Sequence, residues 1–437
     1  ASVVIRTGGC TILTDPWYSH GGYYGSWHPF PPLSDADHAK YTGLSPDAIY
    51  ISHIHPDHLD PETLKFFAPE TPIIIGKLPQ PHLLRSLMSL GFSDVRELPF
   101  GKEVAFKDVM LTVLGPFEGT SEGFVDDVDY AMDTSLIVQD AEGRRVLNVN
   151  DNPIKPEDAQ ALRDHYGRFD IAILPYGGAS GYPHAYPQYS DEEKRQRTEA
   201  LTKRMLDRLL VLGRTLEAKL TLPSAGSYVL GGSLGASNAS LHQAGPEEVE
   251  AFWRAHFTDE CQLFFPLTGD VFDETGRTHY VPDHPYRGYD EESRLAYGLS
   301  LGDFRLSHED IRIPARFRIP WPRLLNKARA NLWRMQQRLG VTPQVDIDIR
   351  IVARDDIGGT TPPESFCFGL DRERAGMPED PSARARMTYH VDEGLLFMVI
   401  TGTAHWNNIE IAPLIEMERQ PDVFNPTVHS VMSFFTL

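Results

Sequence analysis

The strongest structural signal in this chain is the stretch Ile49-Tyr50-Ile51-Ser52-His53-Ile54-His55-Pro56-Asp57-His58. An apolar run with the make-up of a buried strand ends there in three histidines and an aspartate, a composition that core packing does not require. In an extended backbone alternate side chains share a side, so His53 and His55 can chelate one ion. Pro56 forces a turn, and beyond it Asp57 and His58 can swing toward a neighbouring ion. Imidazole and carboxylate donors together suit zinc, iron or manganese. The H-x-H-x-D-H spacing directly after a buried strand is far more specific than four polar residues scattered in a surface loop.

Short apolar, β-branched runs surround this motif: Ser2 to Ile5, Thr11 to Leu13, Ala48 to Ile51, Ile73 to Ile75, Val109 to Val113, Ser135 to Val138, Val146 to Val149 and Ile171 to Leu174. They read as buried strands of an α/β sandwich, with helical stretches between them at Glu62 to Phe67 and Pro156 to His165. Leu201, Met205, Leu209, Leu212, Leu216 and Leu220 repeat at helical spacing and predict one long helix from about Asp191 to Leu220. Past residue 245 the pattern turns irregular and rich in Asp, Gly, Pro, His and Tyr, so residues 246–330 read as a connecting or covering segment. In residues 331–437, Val345 to Val352, Ala385 to Val391 and Gly394 to Gly402 predict strands, and Trp406 to Glu416 and Asn425 to Phe435 predict helices. That mixture makes a separate small α+β unit, following a metal-binding unit over residues 1–245.

With 61 acidic against 41 basic side chains, the 437-residue chain carries a net charge of -20. Such a field repels phosphate backbones and anionic lipid surfaces, which argues against nucleic acid and membranes as partners. Cys10, Cys261 and Cys367 lie far apart with no C-x-x-C pair, so neither a disulfide framework nor a cysteine zinc site is expected, and a reducing cytoplasm fits. No apolar run approaches the roughly 20 residues that cross a bilayer. Ala1 to Ile5 reads as the middle of a strand, which leaves room for residues upstream.

On the motif of His53, His55, Asp57 and His58, the chain resembles the metallo-β-lactamase superfamily over roughly residues 1 to 240. The resemblance implies an αββα sandwich with a pair of metals at its edge. It also implies that Asp151, in Val146-Leu147-Asn148-Val149-Asn150-Asp151-Asn152, bridges the two ions; the other reading of Asp-Asn-Pro is a strand-terminal turn. Two departures stand out. The family's usual third histidine precedes the strand that here is Ser135 to Val138, where the sequence reads Asp126-Asp127-Val128-Asp129-Tyr130-Ala131-Met132-Asp133. A carboxylate in that place makes the site oxygen-rich and more anionic, favouring the higher oxidation states of iron over zinc. Asp129 is the expected ligand and Asp127 the next, against the reading of a solvated acidic loop. The family's last histidine has no counterpart in Leu222-Pro223-Ser224-Ala225-Gly226-Ser227. His184, in the loop after another strand, is the candidate that closes the site, ahead of His242 and His405. The expected ligands are thus His53, His55, Asp57, His58, Asp129, Asp151 and His184, with Asp57 and Asp151 catalytic. Asp15, in an Asp-Pro-Trp turn, is expected to orient a ligand histidine by accepting its free ring proton.

Leu13-Thr14-Asp15-Pro16-Trp17, Trp27-His28-Pro29-Phe30-Pro31-Pro32 and Ala404-His405-Trp406-Asn407-Asn408 look like the CMP-N-acetylneuraminate hydroxylases and their bacterial relatives. A carboxylate in a histidine's place is similar to the dinuclear iron monooxygenases of this fold. Both resemblances imply two iron ions and O₂ as co-substrate. The Cys and His pairs of a Rieske cluster, which those hydroxylases carry ahead of this fold, are absent, so the cluster lies upstream or this is a Rieske-free relative. The expected function is a monooxygenase that hydroxylates a small-molecule natural-product intermediate. Aromatic residues from Trp17 to Phe30 and at Tyr182, Tyr186 and Tyr189 suggest a bulky, apolar one. The alternative is a zinc- or manganese-dependent hydrolase of an ester, lactone or phosphodiester; a silent metal-binding scaffold would leave the complete motif without a purpose. The C-terminal unit loosely resembles sterol-carrier-like domains. No flavin, nicotinamide or iron–sulfur motif occurs, so an external donor such as a ferredoxin with its reductase is implied. Arg312, Arg316, Arg318, Arg323, Lys327, Arg329, Arg334 and Arg338 occur with no acid among them. This basic run can steer an acidic ferredoxin, hold phosphates of a coenzyme-bearing substrate, or form the solvated face of a helix from Leu324 to Leu339.

Overall fold

The computed structural model describes residues 2–117, 132–257, 261–373, 376 and 384–437. Side chains that alternate along the first strands build its layers. In Cys10–Thr14, Ala48–Tyr50 and Ile73–Gly76, the side chains of Ile12, Ala48, Tyr50 and Ile74 share one buried cluster, and those of Leu13, Ile49, Ile73 and Ile75 share another. Both faces are covered, which is why these strands are apolar throughout rather than at every second position. They belong to a five-stranded sheet in the order Val3–Thr7, Cys10–Thr14, Ala48–Tyr50, Ile73–Gly76, Val95–Leu98, antiparallel at the first pair and parallel after it. The Leu13 face packs beneath Leu64, Leu83 and Leu87 of the helices Pro61–Leu64 and His82–Ser89. The Ile12 face meets Leu111, Val113, Leu136 and Val138 of a second sheet.

That sheet has seven strands, in the order Gln262–Leu263, Leu220–Ser224, Ile171–Pro175, Arg145–Asn148, Ser135–Gln139, Val109–Leu114, Glu103–Phe106. Its outer face, with Leu147, Ala172 and Leu174, packs on Leu162 of the helix Pro156–Tyr166 and on Leu206 and Leu209 of the helix Asp191–Leu216. The result is the four-layer αββα sandwich. The long helix stops at Leu216, short of the expected Leu220, because Glu217 takes up a left-handed conformation with φ of 49°. The chain then runs back as the strand Leu220–Ser224, parallel to Ile171–Pro175. Gly213 lets this helix close on Trp253 of the helix Pro246–Arg254, since a Cβ there would run into the indole ring. Gly213→Ala is therefore expected to destabilise the fold by about 1–3 kcal/mol through overpacking, read as a lowered thermal midpoint.

A four-stranded sheet, in the order Ser365–Gly369, Val345–Val352, Ala385–Asp392, Glu416–Gln420, forms the C-terminal α+β region. Its core joins Ile347, Ile349 and Tyr389 to Leu325, Ala328 and Leu332 of the helix Trp321–Leu339. The boundary expected at residue 331 falls inside this helix, whose apolar stripe is continuous across it. Gly394 to Gly402 is not a strand: Glu393–Ile400 is a helix, started by the Asp392 carboxylate, which accepts from the N–H groups of Gly394 and Leu395. Trp406 to Glu416 divides into the helix Trp406–Ile411 and the start of the strand Glu416–Gln420. The segment after residue 245 contains the helices Pro246–Arg254 and Glu291–Ser300. Within the basic run, Arg329 is buried and donates to the carbonyls of Gly369 and Arg372, while Arg312 pairs with Asp356. Among the described residues, no helix is long and apolar enough to cross a membrane.

Candidate metal centre

The parallel strands Cys10–Thr14 and Ala48–Tyr50 end side by side, which sets Asp15 against Ser52. Asp15 sits at a φ of 38°, a costly conformation for a residue other than glycine. Its carboxylate accepts from the Ser52 N–H at 2.7 Å and the Ser52 hydroxyl at 2.8 Å, and lies 3.1 Å from His58 Nδ1. Because the Ser52 hydroxyl hydrogen goes to Asp15, its oxygen accepts from His53 Nδ1, 3.0 Å away. In the neutral form both imidazoles thereby carry their proton on Nδ1, which makes Nε2 the atom that would face a metal. Asp15 thus occupies the orienting place expected of it. Asp15→Ala is expected to weaken metal affinity on the order of 10–100-fold, measured by titrating metal into chelator-stripped protein. Wild-type affinity in that variant would remove the role.

His53 Nε2 lies 2.9 Å from His55 Nδ1 and 3.6 Å from Asp133 Oδ1. His55 Nε2 is 3.2 Å from the Asn407 side-chain oxygen, so it donates there and turns Nδ1 toward His53. Two ring nitrogens with lone pairs facing each other repel unless a cation lies between them. On the other side, His58 Nε2 is 3.1 Å from Asp151 Oδ2 and 3.4 Å from Asp57 Oδ2. Two three-donor groups result, His53 with His58 and Asp151, and His53 with His55 and Asp133, the ligand atoms of each within 4.8 Å of one another.

The residues fit a metal on further grounds. Oδ1 of Asp133 and Oδ1 of Asp151 are enclosed and have no hydrogen-bond partner among the described residues. Four carboxylates, Asp15, Asp57, Asp133 and Asp151, crowd three imidazoles. Burial, reinforced by Asp151 and Asp57 against the pull of His55 and His58, pushes Asp133 up to about 6. Burial alone would push His58 down, yet Asp57, Asp151 and Asp15 outweigh it and hold it well above the usual range for histidine. A bound cation would relieve this excess of buried negative charge.

Of the residues expected from sequence, His53, His55, His58 and Asp151 converge. Asp57 stands beside them, its carboxylate accepting from the Tyr23 hydroxyl at 2.8 Å, but joins neither three-donor group. Asp129 and Asp127 lie outside the described residues. Asp133, from the same acidic stretch, supplies the carboxylate, because it comes two residues before the strand Ser135–Gln139 and is carried to the sandwich edge by it. His184 joins neither group: it is buried near His242. Burial, then His242, push it down to about 3. Tyr23 and Asn407 were not expected as site residues. The signal for Asn407 was present in Ala404-His405-Trp406-Asn407-Asn408, yet nothing in one sequence places that segment against His55.

A cavity of about 1050 Å³ opens onto the cluster, lined by His55, Asp57, His58, Asp133 and Asp151 and by the rings of Trp17, Tyr23, Trp27 and Tyr228. Tyr182, Tyr186 and Tyr189 are elsewhere: they pack on one another and on the C-terminal core, under Arg197 and Arg419.

Residues 1–123 match the model of the beta-lactamase superfamily domain. The αββα layers and the histidine–aspartate cluster are those of a metallo-β-lactamase-like fold, and the chain is similar in sequence to the CMP-N-acetylneuraminic acid hydroxylases. A Mycolicibacterium smegmatis protein bearing the name Rieske 2Fe-2S iron-sulfur protein is 31% identical over 242 residues, 52% of this chain and 42% of that one. The cytidine monophosphate-N-acetylneuraminic acid hydroxylase of Mus musculus is 28% identical over 242 residues, 52% of this chain and 38% of that one. Among solved structures, CmlA, a diiron beta-hydroxylase from Streptomyces venezuelae, is 22% identical and covers 51% of this chain and 43% of its own, with a TM-score of 0.36. The chain spans about half the length of the curated relatives it matches.

Proposed function

We propose that the chain is a non-haem dinuclear iron monooxygenase that hydroxylates a small-molecule biosynthetic intermediate. The observation that carries this reading is the carboxylate of Asp133 set against His53 and His55, where an all-imidazole group would suit zinc. Names borne by relatives, a hydroxylase and a Rieske iron–sulfur protein, support it. In this reading His53, His55 and Asp133 would hold one iron, and His58, Asp151 and the adjacent Asp57 would hold the other. Iron bound there would supply the binding and reduction of O₂. The chain's own groups do the rest. Asp15 and Ser52 fix the tautomers of His58 and His53, Asn407 fixes His55, and Tyr23 holds Asp57. Trp17, Tyr23 and Trp27 exclude water and pack against an apolar substrate body.

Hydroxylation consumes O₂, two electrons and two protons for each oxygen atom inserted, the second atom leaving as water. The electrons come from an external donor such as a ferredoxin with its reductase. Arg316, Arg318, Arg323, Lys327, Arg334 and Arg338 are exposed and have no carboxylate partner among the described residues, so they offer an acidic donor a complementary surface. Three free cysteines fit a reducing, cytoplasmic setting. Protein from iron-replete cells is expected to hold about two irons per chain and, once reduced, to consume O₂ and leave one labelled atom from ¹⁸O₂ in the product. Stoichiometric zinc or manganese, with turnover under argon and product oxygen drawn only from water, would establish the hydrolase instead.

A further inference from the structure

We infer that Arg208 anchors an anionic group of the substrate, a carboxylate or a phosphate, inside the cavity that opens on the metal centre. The inference rests on reading that cavity as the substrate site. Arg208 lies on the helix Asp191–Leu216 and lines the cavity together with His55, His58, Asp133 and Asp151. It makes one hydrogen bond, from Nη2 to the Ile154 carbonyl at 3.3 Å. Guanidinium offers five N–H donors in a planar fork, and the rest of these have no protein partner among the described residues.

Several basic neighbours are paired with acids. On the same helix Arg195 pairs with Glu192 and Glu199, Arg197 with Asp422, and Lys203 with Asp207. Arg208 lines the cavity and pairs with no acid among the described residues. A partly buried cation without a counter-ion is costly unless a ligand supplies one. Burial accordingly holds its pKa below the ordinary arginine value.

The position is that of a ligand site. The strands Arg145–Asn148, Ile171–Pro175 and Leu220–Ser224 are adjacent and parallel, and the segments that follow their carboxyl ends line the cavity with Asp151, Gly177 and Ser227. Ligands bind beyond the carboxyl ends of parallel strands. Ile154, which Arg208 touches, is three residues from Asp151, and three residues span at most about 10 Å. The substrate class is therefore amphipathic: an apolar body against Trp17, Tyr23 and Trp27, with an oxyanion held by a bidentate fork on the order of 10 Å from Asp151.

The test uses chelator-stripped whole protein, so that no metal ion captures the anion, and two probes, inorganic phosphate and succinate, in separate calorimetric titrations. Wild type is expected to bind at least one of them saturably, and the tighter probe identifies the anion as phosphate or carboxylate. Arg208→Gln is expected to weaken that binding at least tenfold with its circular dichroism and thermal midpoint unchanged. Arg208→Lys, which keeps the charge and loses the fork, is expected to fall between. Equal binding by wild type and Arg208→Gln, or saturable binding of neither probe by wild type, overturns the proposal. If Arg208→Gln fails to fold, Arg208→Lys decides, since undiminished affinity in that variant overturns it as well. Because the readout is binding without metal, a zinc hydrolase outcome in the oxygen experiment would leave this inference standing.

Discussion

Changing His53 to alanine is expected to remove the ion of the His53, His55 and Asp133 group and to weaken the neighbouring one. His53 is the one residue common to the two three-donor groups, and its Nε2 faces His55 on one side and Asp133 beyond it. It is fully buried. Its loss leaves Asp133 and His55 as two donors, too few for a closed site, and exposes the rest of the cluster to uncompensated repulsion among carboxylates. Metal affinity should fall by more than the ~10–100-fold typical of removing an outer partner, with turnover lost alongside. His55→Ala should be milder, since His53, His58 and Asp151 still make a group without it. Metal per chain after dialysis separates the two: one ion retained at wild-type affinity in His53→Ala would refute the shared role. The order His53 before His55 follows only from the folded geometry, because an alternating strand end makes the two residues look equivalent.

How much of this was legible in the sequence depends on whether the signal was local. The first sheet was, because Ile12 and Leu13, Ile49 and Tyr50, and Ile73 and Ile74 are buried on both faces and leave continuous apolar runs. The histidine motif was legible for the same reason, as was Asp15, whose Asp-Pro-Trp turn lies at the end of the adjacent strand. The strand Leu220–Ser224 was not, since Leu216 and Leu220 continue a helical rhythm that a single left-handed residue, Glu217, interrupts. Glu393–Ile400 was misread because a short, uniformly apolar run fits a buried helix as well as a strand, and the cap at Asp392 decides between them. Long-range partners were beyond reach. Asn407 meets His55 across 352 residues of chain, and Tyr23 reaches Asp57 through a tight turn with two left-handed tyrosines. Tyr186 and Tyr189 sit on a loop that follows a site strand, yet the C-terminal sheet claims them for its core.

Asp133→His is expected to exchange iron for zinc. The substitution converts the group of His53, His55 and Asp133 into three imidazoles, the donor set of an open catalytic zinc site. It also removes a carboxylate that burial, Asp151 and Asp57 already press toward neutrality, up to about 6, so the cluster loses one negative charge without losing a ligand. Less negative charge around the ions stabilises the oxidised state of iron less, and nitrogen in place of oxygen shifts preference toward zinc. In cells supplied with both metals, the zinc-to-iron ratio of the purified variant should rise about tenfold over wild type, and O₂ consumption by the reduced protein should be lost. Asp133→Asn is the control that separates charge from donor type. It removes the charge without adding a good nitrogen ligand, so it should hold less of either metal rather than trade one for the other. An unchanged metal ratio in Asp133→His would mean that Asp133 stands beside the ions without binding them, and the case for iron over zinc would lose the residue on which it stands.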